Sequence, residues 1–326
     1  MGIDAEVLIV GGGPAGLTAA LTLARLTHTV KIFDNNDARN KATPAMTMLI
    51  AHDGETPEHF RNEAIKNLTK RHKNVTIENT TIAKVKKIEE GEDKGYFEVE
   101  DNEGKKWVGK KLVLSTGCTD IFPDIPGYED FWGNGIYHCY FYKGYMPEKA
   151  PSSGILAVDI MEDVMKSMHA ARYATQISKK VTIYTNDNKK LADQFASSFG
   201  NAKMFTVDDR KIARFFKPEA SPDKLPTTVG IEFANGDKVE ESFIGHYPLS
   251  KAKGPFHEQL GLPVLPSGDI ATNFPWLQTD IKGVFACGDN SQPRKIIPEA
   301  QNTGSLVGAA ISNQIIAENF GQMGLV

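Results

Sequence analysis

The chain has 326 residues, 40% of them hydrophobic and 24% charged, and its formal net charge is −4. This is the composition of an ordinary globular protein whose length exceeds a single core, so two domains are expected. The small negative charge and scattered basic residues exclude nucleic acid or an anionic membrane as the main partner.

The first apolar run, Val7 to Val10, feeds Gly11, Gly13 and Gly16 in a G-x-G-x-x-G turn that also holds Pro14 and Ala15, and Leu17 to Leu26 then reads as a helix. In such a turn the first glycine permits the sharp bend, the second lets the backbone approach a pyrophosphate, and the third lets helix and strand pack closely. The free N–H groups of the helix start face the phosphates. Val30 to Phe33 is a second strand, and Asp34 follows it at the distance a ribose contact requires. An adenine dinucleotide is expected here. The N-terminal stretch lacks the basic region of a leader peptide, and Glu6 stands where myristoylation needs Ser or Thr. With no apolar run long enough to span a bilayer, the chain reads as cytosolic.

Pro57 to Thr69 has helical character. From Val75 the period becomes two, through Val75–Glu78, Ile82–Ile88 and Tyr96–Glu100, which predicts a β-meander. Lys111 to Ser115 is a further strand, followed by Thr116 and Gly117. A second α/β unit opens with the strand Ile155–Val158, a helix over Ile160–Ser178 and the strand Val181–Tyr184, and Asn235-Gly236 marks a hairpin. Gly283 to Asp289 is a strand ending in Gly288-Asp289, and Thr303 to Glu318 is a helix rich in small residues. Cys118, Cys139 and Cys287 form neither a C-x-x-C pair nor a metal-ligand spacing, so no metal site and no disulfide framework are expected.

Together, Gly11–Gly16, Asp34, Ser115–Gly117, Gly245-His246 and Val284–Asp289 resemble the thioredoxin-reductase-like flavoproteins over nearly the whole chain. The resemblance is closest to the fungal branch of gliotoxin-type dithiol oxidases, through Ala38-Arg39-Asn40, His52-Asp53, Pro57–Arg61 and His138–Tyr145. It implies an α/β fold of two Rossmann-like domains, the second inserted in the first: an FAD-binding domain over 1–119 and 247–326, and a nicotinamide-type domain over 120–246. It also implies FAD as cofactor, a homodimer, and further FAD contacts from Arg39, Asn40, Thr116, Gly117, Gly288 and Asp289. The segment Pro298–Thr303, with Glu299 and Ala300, would set a helix N-terminus beside the flavin, where the dipole favours the negative charge of the reduced ring.

Two departures from the family bear on the chemistry. After Val158 the chain reads Asp159-Ile160-Met161-Glu162-Asp163 without a glycine, so bulky side chains and carboxylates stand where a pyrophosphate would need backbone N–H groups. Asp159 with Glu162 fits an acidic capping box for the predicted helix, and Thr185–Asn188 offers no arginine for a 2′-phosphate. The family's redox pair reads Cys139-Tyr140-Phe141-Tyr142, and one thiol cannot form its disulfide. Cys118 and Cys287 read as buried small apolar residues. The expected reaction is oxidation of a small organic, secondary-metabolite-type substrate directly at the flavin, with O2 as acceptor. Tyr142, His138 and Cys139 are the catalytic candidates, and His52, His246 and Glu299 are further polar ones for which packing or surface roles are favoured. An NAD(P)H-dependent reductase and a redox-inactive scaffold stay open as alternatives.

Overall fold

The computed structural model describes residues 2–143, 148–222 and 224–326, the side chains of residues 42, 142 and 143 excepted. The chain runs through β1 (Ala5–Val10), α1 (Pro14–Ala24), β2 (Val30–Phe33), α2 (Pro57–Arg71), β3 (Val75–Glu78), β4 (Ile82–Lys87), β5 (Phe97–Asp101) and β6 (Lys106–Leu114). β7 (Cys118–Ile121) leads to β8 (Ile136–Tyr137), α3 (Tyr140–Lys143), β9 (Ser153–Leu156), α4 (Val164–Ile177), β10 (Val181–Tyr184), α5 (Lys189–Ser198) and β11 (Phe205–Asp208). There follow β12 (Ile212–Phe216), β13 (Val229–Phe233), β14 (Lys238–Glu241) and β15 (Ile244–Gly245). β16 (Leu249–Ala252) then leads to α6 (Phe256–Leu260), β17 (Val284–Ala286) and α7 (Ile297–Asn319). Two compact units result: Met1–Lys41, Glu55–Thr119 and Ser250–Val326 form one, and Ala42–Gly54 with Asp120–Leu249 form the other.

In the first unit β1 is central because both its faces are apolar. Val7 and Ile9 join the layer of α1 and α7, while Ala5, Leu8 and Val10 join the layer that includes Phe97, Trp107 and Phe256. Among the described residues the sheet has seven strands in the order β3-β2-β1-β6-β5-β4, with β17 also on β6. On the edge away from β1, β6 serves two partners in turn: Lys106–Gly109 pair antiparallel with β5, and Leu112–Leu114 pair parallel with β17. The parallel part, β3-β2-β1-β6-β17, carries the dinucleotide-binding pattern. The predicted meander starts one strand later than expected, since β3 pairs parallel with β2 and only β4, β5 and β6 run antiparallel. A period of two fixes a strand and its faces, not its neighbour. The crossover helix α2 makes the difference here, capped by Thr56 on the His59 N–H (3.2 Å) and started by Pro57.

The second unit holds a parallel sheet, β11-β10-β9-β15-β8, and an antiparallel one, β12-β13-β14, whose hairpin turns at Asn235-Gly236 with Gly236 at φ 90°. The helix expected from Ile160 begins later. Asp159–Glu162 form a 3-10 turn, and α4 starts at Val164 with Asp163, not Asp159, as its cap, accepting from the Lys166 N–H at 3.1 Å. The reason is Met161, whose side chain is fully buried: swinging it into the core bends the chain, with Asp159 at φ 53°, before the helix can start. α7 in turn begins at Ile297, ahead of the expected Thr303, because Pro298 is an acceptable first-turn residue.

Candidate functional site

The three glycines between β1 and α1, and Gly16 in the first turn of α1, have different surroundings. Gly11 sits at φ 113°, and a Cβ there would meet the Ser115 carbonyl carbon at 2.7 Å. A Cβ on Gly16 would lie 2.6 Å from Ser115 Oγ, and one on Gly12 would enter the Asp34 carboxylate. Ser115 Oγ in turn donates to the Val10 and Gly11 carbonyls at 3.1 and 2.9 Å. Gly13 alone opens on space, with nothing within 4 Å of its Cβ position. It is the N-cap of α1, which begins with Pro14 and has no side-chain cap.

A second uncapped helix start meets the first. α7 begins behind Ile296 without a side-chain cap, whereas α2, α4 and α5 are capped by Thr56, Asp163 and Asn188. Small residues bring α1 and α7 together: a Cβ on Gly304 would run into the Ala15 carbonyl, and one on Gly308 would lie 2.9 Å from the Ala19 carbonyl oxygen. Gly288, at φ 80°, sits against the same point, 2.9 Å from Ala15 Cβ and 4.0 Å from Ala300 Cβ by its missing side chain. Thr303 Oγ1 accepts from the Gly288 N–H at 3.1 Å. Ala15, Gly288 and Ala300, far apart in sequence, are thus neighbours, and two free helix N-termini converge there. Such termini attract anionic groups, and the open Gly13 leaves room for one, so the surroundings fit a pyrophosphate-bearing dinucleotide.

Charged side chains surround this point. Asp34, buried behind Gly12, accepts from the Asn36 N–H at 2.9 Å and is ion-paired with Arg61 of α2. Arg61 also donates to Asn36 Oδ1 at 2.9 Å. Arg39, in the 3-10 turn Arg39–Ala42 with Asn40, reaches Asp289 Oδ2 at 3.2 Å. Lys253 Nζ donates to the Asp37 carbonyl at 2.8 Å and to its carboxylate, and it is this lysine above all that holds the Asp37 pKa down to about 2. Thr116 Oγ1 donates to the Lys253 carbonyl at 2.9 Å, beside Gly117 at φ 73°. Lys295 Nζ ties the next turn together, donating to Asp269 Oδ1 and the Asp289 carbonyl at 2.7 Å each. Glu299 pairs with the exposed Arg294 at 3.2 Å. Gly12, Lys253 and Lys295 escape a reading by motif, and Arg61, though part of the Pro57–Arg61 stretch, takes no role from it. Gly12 sits inside the motif at a position the pattern leaves open, and the lysines lie outside any motif.

In the second unit His138 and Cys139 are partly exposed, and none of the three cysteines forms a disulfide. The Tyr142 side chain lies outside the described residues. Cys118 and Cys287 are buried in strand ends, and burial pushes the Cys287 thiol up to about 12. His52, in the segment grouped with this unit, donates its N–H to the Leu49 carbonyl at 2.9 Å. His246 is fully buried with Nδ1 2.7 Å from the Tyr128 hydroxyl, and burial lowers its pKa to about 4, a core histidine that is neutral at pH 7. At the start of α4, Ser167 Oγ donates to the Met161 carbonyl at 2.5 Å, so the turn is filled by its own atoms. Beyond β10, Arg210 is engaged by Asp208 at 2.6 Å and Asp237 at 2.8 Å.

Two Rossmann-type units, one with an open glycine turn between uncapped helices, define a dinucleotide-binding oxidoreductase. The pyridine nucleotide-disulphide oxidoreductase family matches residues 5–153. The chain is 38% identical over 318 residues to thioredoxin reductase tcpT of Claviceps purpurea, covering 97% of this chain and 96% of that one. It is 36% identical to thioredoxin reductase aclD of Aspergillus oryzae over 95% of this chain and 96% of that one. A TrxB chain of Bacillus anthracis, 24% identical, superposes with a TM-score of 0.84 over 97% of this chain and all of that one, a likeness of fold. The chain belongs to the thioredoxin-reductase-like FAD oxidoreductases. It is an FAD-dependent oxidoreductase with the two-Rossmann fold of that family. No described helix is long and apolar enough to cross a membrane.

Proposed function

We propose that this flavoprotein oxidises a small organic, secondary-metabolite-type substrate directly at the flavin, with dioxygen as acceptor and without a disulfide relay. The observation that carries this reading is the self-filled start of α4. Asp163 caps the helix, Met161 plugs the turn, and Asp159 and Glu162 add negative charge where a nicotinamide dinucleotide would need free N–H groups. The second support is the single thiol of Cys139-Tyr140-Phe141-Tyr142, which leaves thiol–disulfide exchange without a resolving sulfur.

FAD, when bound, supplies a two-electron acceptor that dioxygen restores, so each substrate oxidised consumes one O2 and releases one hydrogen peroxide. In this reading Gly11, Gly13, Pro14, Ala15 and Gly16 cradle the pyrophosphate, and Asp34 with Arg39 and Asn40 holds the adenosine half. Thr116, Gly117, Gly288 and Asp289 line the middle, and the α7 start, with Glu299 and Ala300, faces the flavin. His138 takes the substrate proton, the ring nitrogen of an imidazole being a common proton acceptor in catalysis. Tyr142 orients the substrate, and Cys139 is dispensable. A cytosolic homodimer completes the proposal.

NADPH mixed with the holoenzyme under anaerobic conditions should leave the yellow flavin band in place, and Cys139→Ser should keep flavin and substrate-dependent peroxide. Rapid bleaching by NADPH would overturn the reading in favour of a reductase. Complete inactivity of Cys139→Ser with flavin intact would overturn it in favour of thiol chemistry.

A further inference from the structure

One wall of the second unit is built from rings. Trp132 lies 5.3 Å from Phe122 between centroids, and 6.2 Å from Tyr128 with the planes 23° apart. Its third neighbour is His138, at 5.8 Å and 35°. The rings behind it are locked: Tyr128 is 1% exposed, bonded to His246 Nδ1 at 2.7 Å and edge-on to Phe215. The backbone around Trp132 is also tied, with the Gly133 N–H on the Ile136 carbonyl and the Asn134 N–H on the Phe131 carbonyl, each at 3.0 Å. Phe122, Trp132 and His138 nevertheless stay partly exposed, and His138 adjoins Cys139 in the sequence segment that carries the proposed chemistry.

Part-exposed rings fixed from behind form a preorganised surface for another π system. An aromatic guest gains offset or edge contacts beyond simple area burial and orders no side chain in doing so. The charge next to Trp132 in the chain is negative: the exposed Glu129 and Asp130 stand in the 3-10 turn just before it. Carboxylates so placed repel an anionic guest and tolerate a neutral one.

We propose that Phe122, Trp132 and His138 form a shelf for an uncharged aromatic ring of the substrate, with Trp132 as the residue that determines specificity. The proposal rests on the reading above only in taking the substrate to be a small organic molecule. The test titrates the holoenzyme with tryptophol, indole-3-acetate and cyclohexanol, followed by saturation-transfer NMR. Tryptophol should bind saturably, indole-3-acetate about tenfold more weakly, and cyclohexanol not measurably. Trp132→Leu, which keeps apolar bulk and loses the π face, should weaken tryptophol about tenfold, while Trp132→Phe should stay within about threefold of the parent. Equal affinity for tryptophol in Trp132→Leu, or cyclohexanol binding as tightly as tryptophol, overturns the shelf. Indole-3-acetate binding as tightly as tryptophol overturns its preference for uncharged rings. None of these measurements needs turnover, so absence of peroxide would remove the oxidase reading and leave the shelf standing, and the reverse also holds.

Discussion

Gly13, the N-cap of α1, and Gly16, inside its first turn, sit three residues apart, yet they answer to different demands. The space at Gly16 is taken up by Ser115 and the Gly11 carbonyl, so any side chain there costs packing, about 1–3 kcal/mol. Gly13 has no such neighbour, and its φ of −78° suits any residue. Gly13→Asp should therefore act on ligand alone. The aspartate would cap α1 as Asp163 caps α4, keeping the flavin-free protein as stable as the parent. A carboxylate about 4 Å from a phosphate charge costs on the order of 4 kcal/mol at an effective dielectric near 20. FAD affinity should then fall roughly a thousandfold. Titration of deflavinated protein with FAD measures this, and full flavin content in Gly13→Asp would remove Gly13 from the pyrophosphate site. His246 gives a prediction of a different sort. Its folded pKa of about 4 lies below the ordinary 6.5 because the ring is buried, so between these values the unfolded chain binds more protons. The stability this residue contributes is complete above about pH 6.5 and is lost as pH falls through 4, for a total of about 3 kcal/mol. Urea midpoints between these limits should fall with acid, and less steeply in His246→Gln, which keeps an acceptor for Tyr128. Identical slopes would place the acid sensitivity elsewhere.

Among the elements, the first β–turn–α was legible because spacing, glycine position and the acid after β2 all serve one geometry. The α4 start was not. Asp159 and Asp163 both make good caps, and choosing between them depends on the burial of Met161, which is a tertiary event. The same limit applied to β3, where alternation marks a strand but the crossover through α2 selects its partner. Around the proposed site, glycines and helix starts were readable from pattern, while the ion pairs of Arg61, Lys253 and Lys295 with Asp34, Asp37 and Asp269 join positions far apart in sequence and were not. The aromatic shelf was hidden for a similar reason: Phe122, Trp132 and His138 have no periodic spacing, and tight turns bring them together.

For the molecule as a whole, FAD should act as a stabiliser of the first unit. With free FAD a hundredfold above its dissociation constant, the gain is about 2.7 kcal/mol. Melting of deflavinated protein with and without added FAD should show a rise, and an unchanged midpoint would mean that the native state gains nothing from the cofactor. The contact between α1 and α7 has a further consequence, for biosynthesis. These helices lie about 270 residues apart along the chain, and β17, which fills the sheet beside β6, also comes late. A nascent chain emerging from the ribosome holds β1, α1 and β6 long before the elements that cover them, whereas most of the second unit is made in one continuous stretch. The second unit can therefore close first, while the apolar faces of the first stay uncovered until β17 and α7 have been made, an interval in which a chaperone has the most to protect.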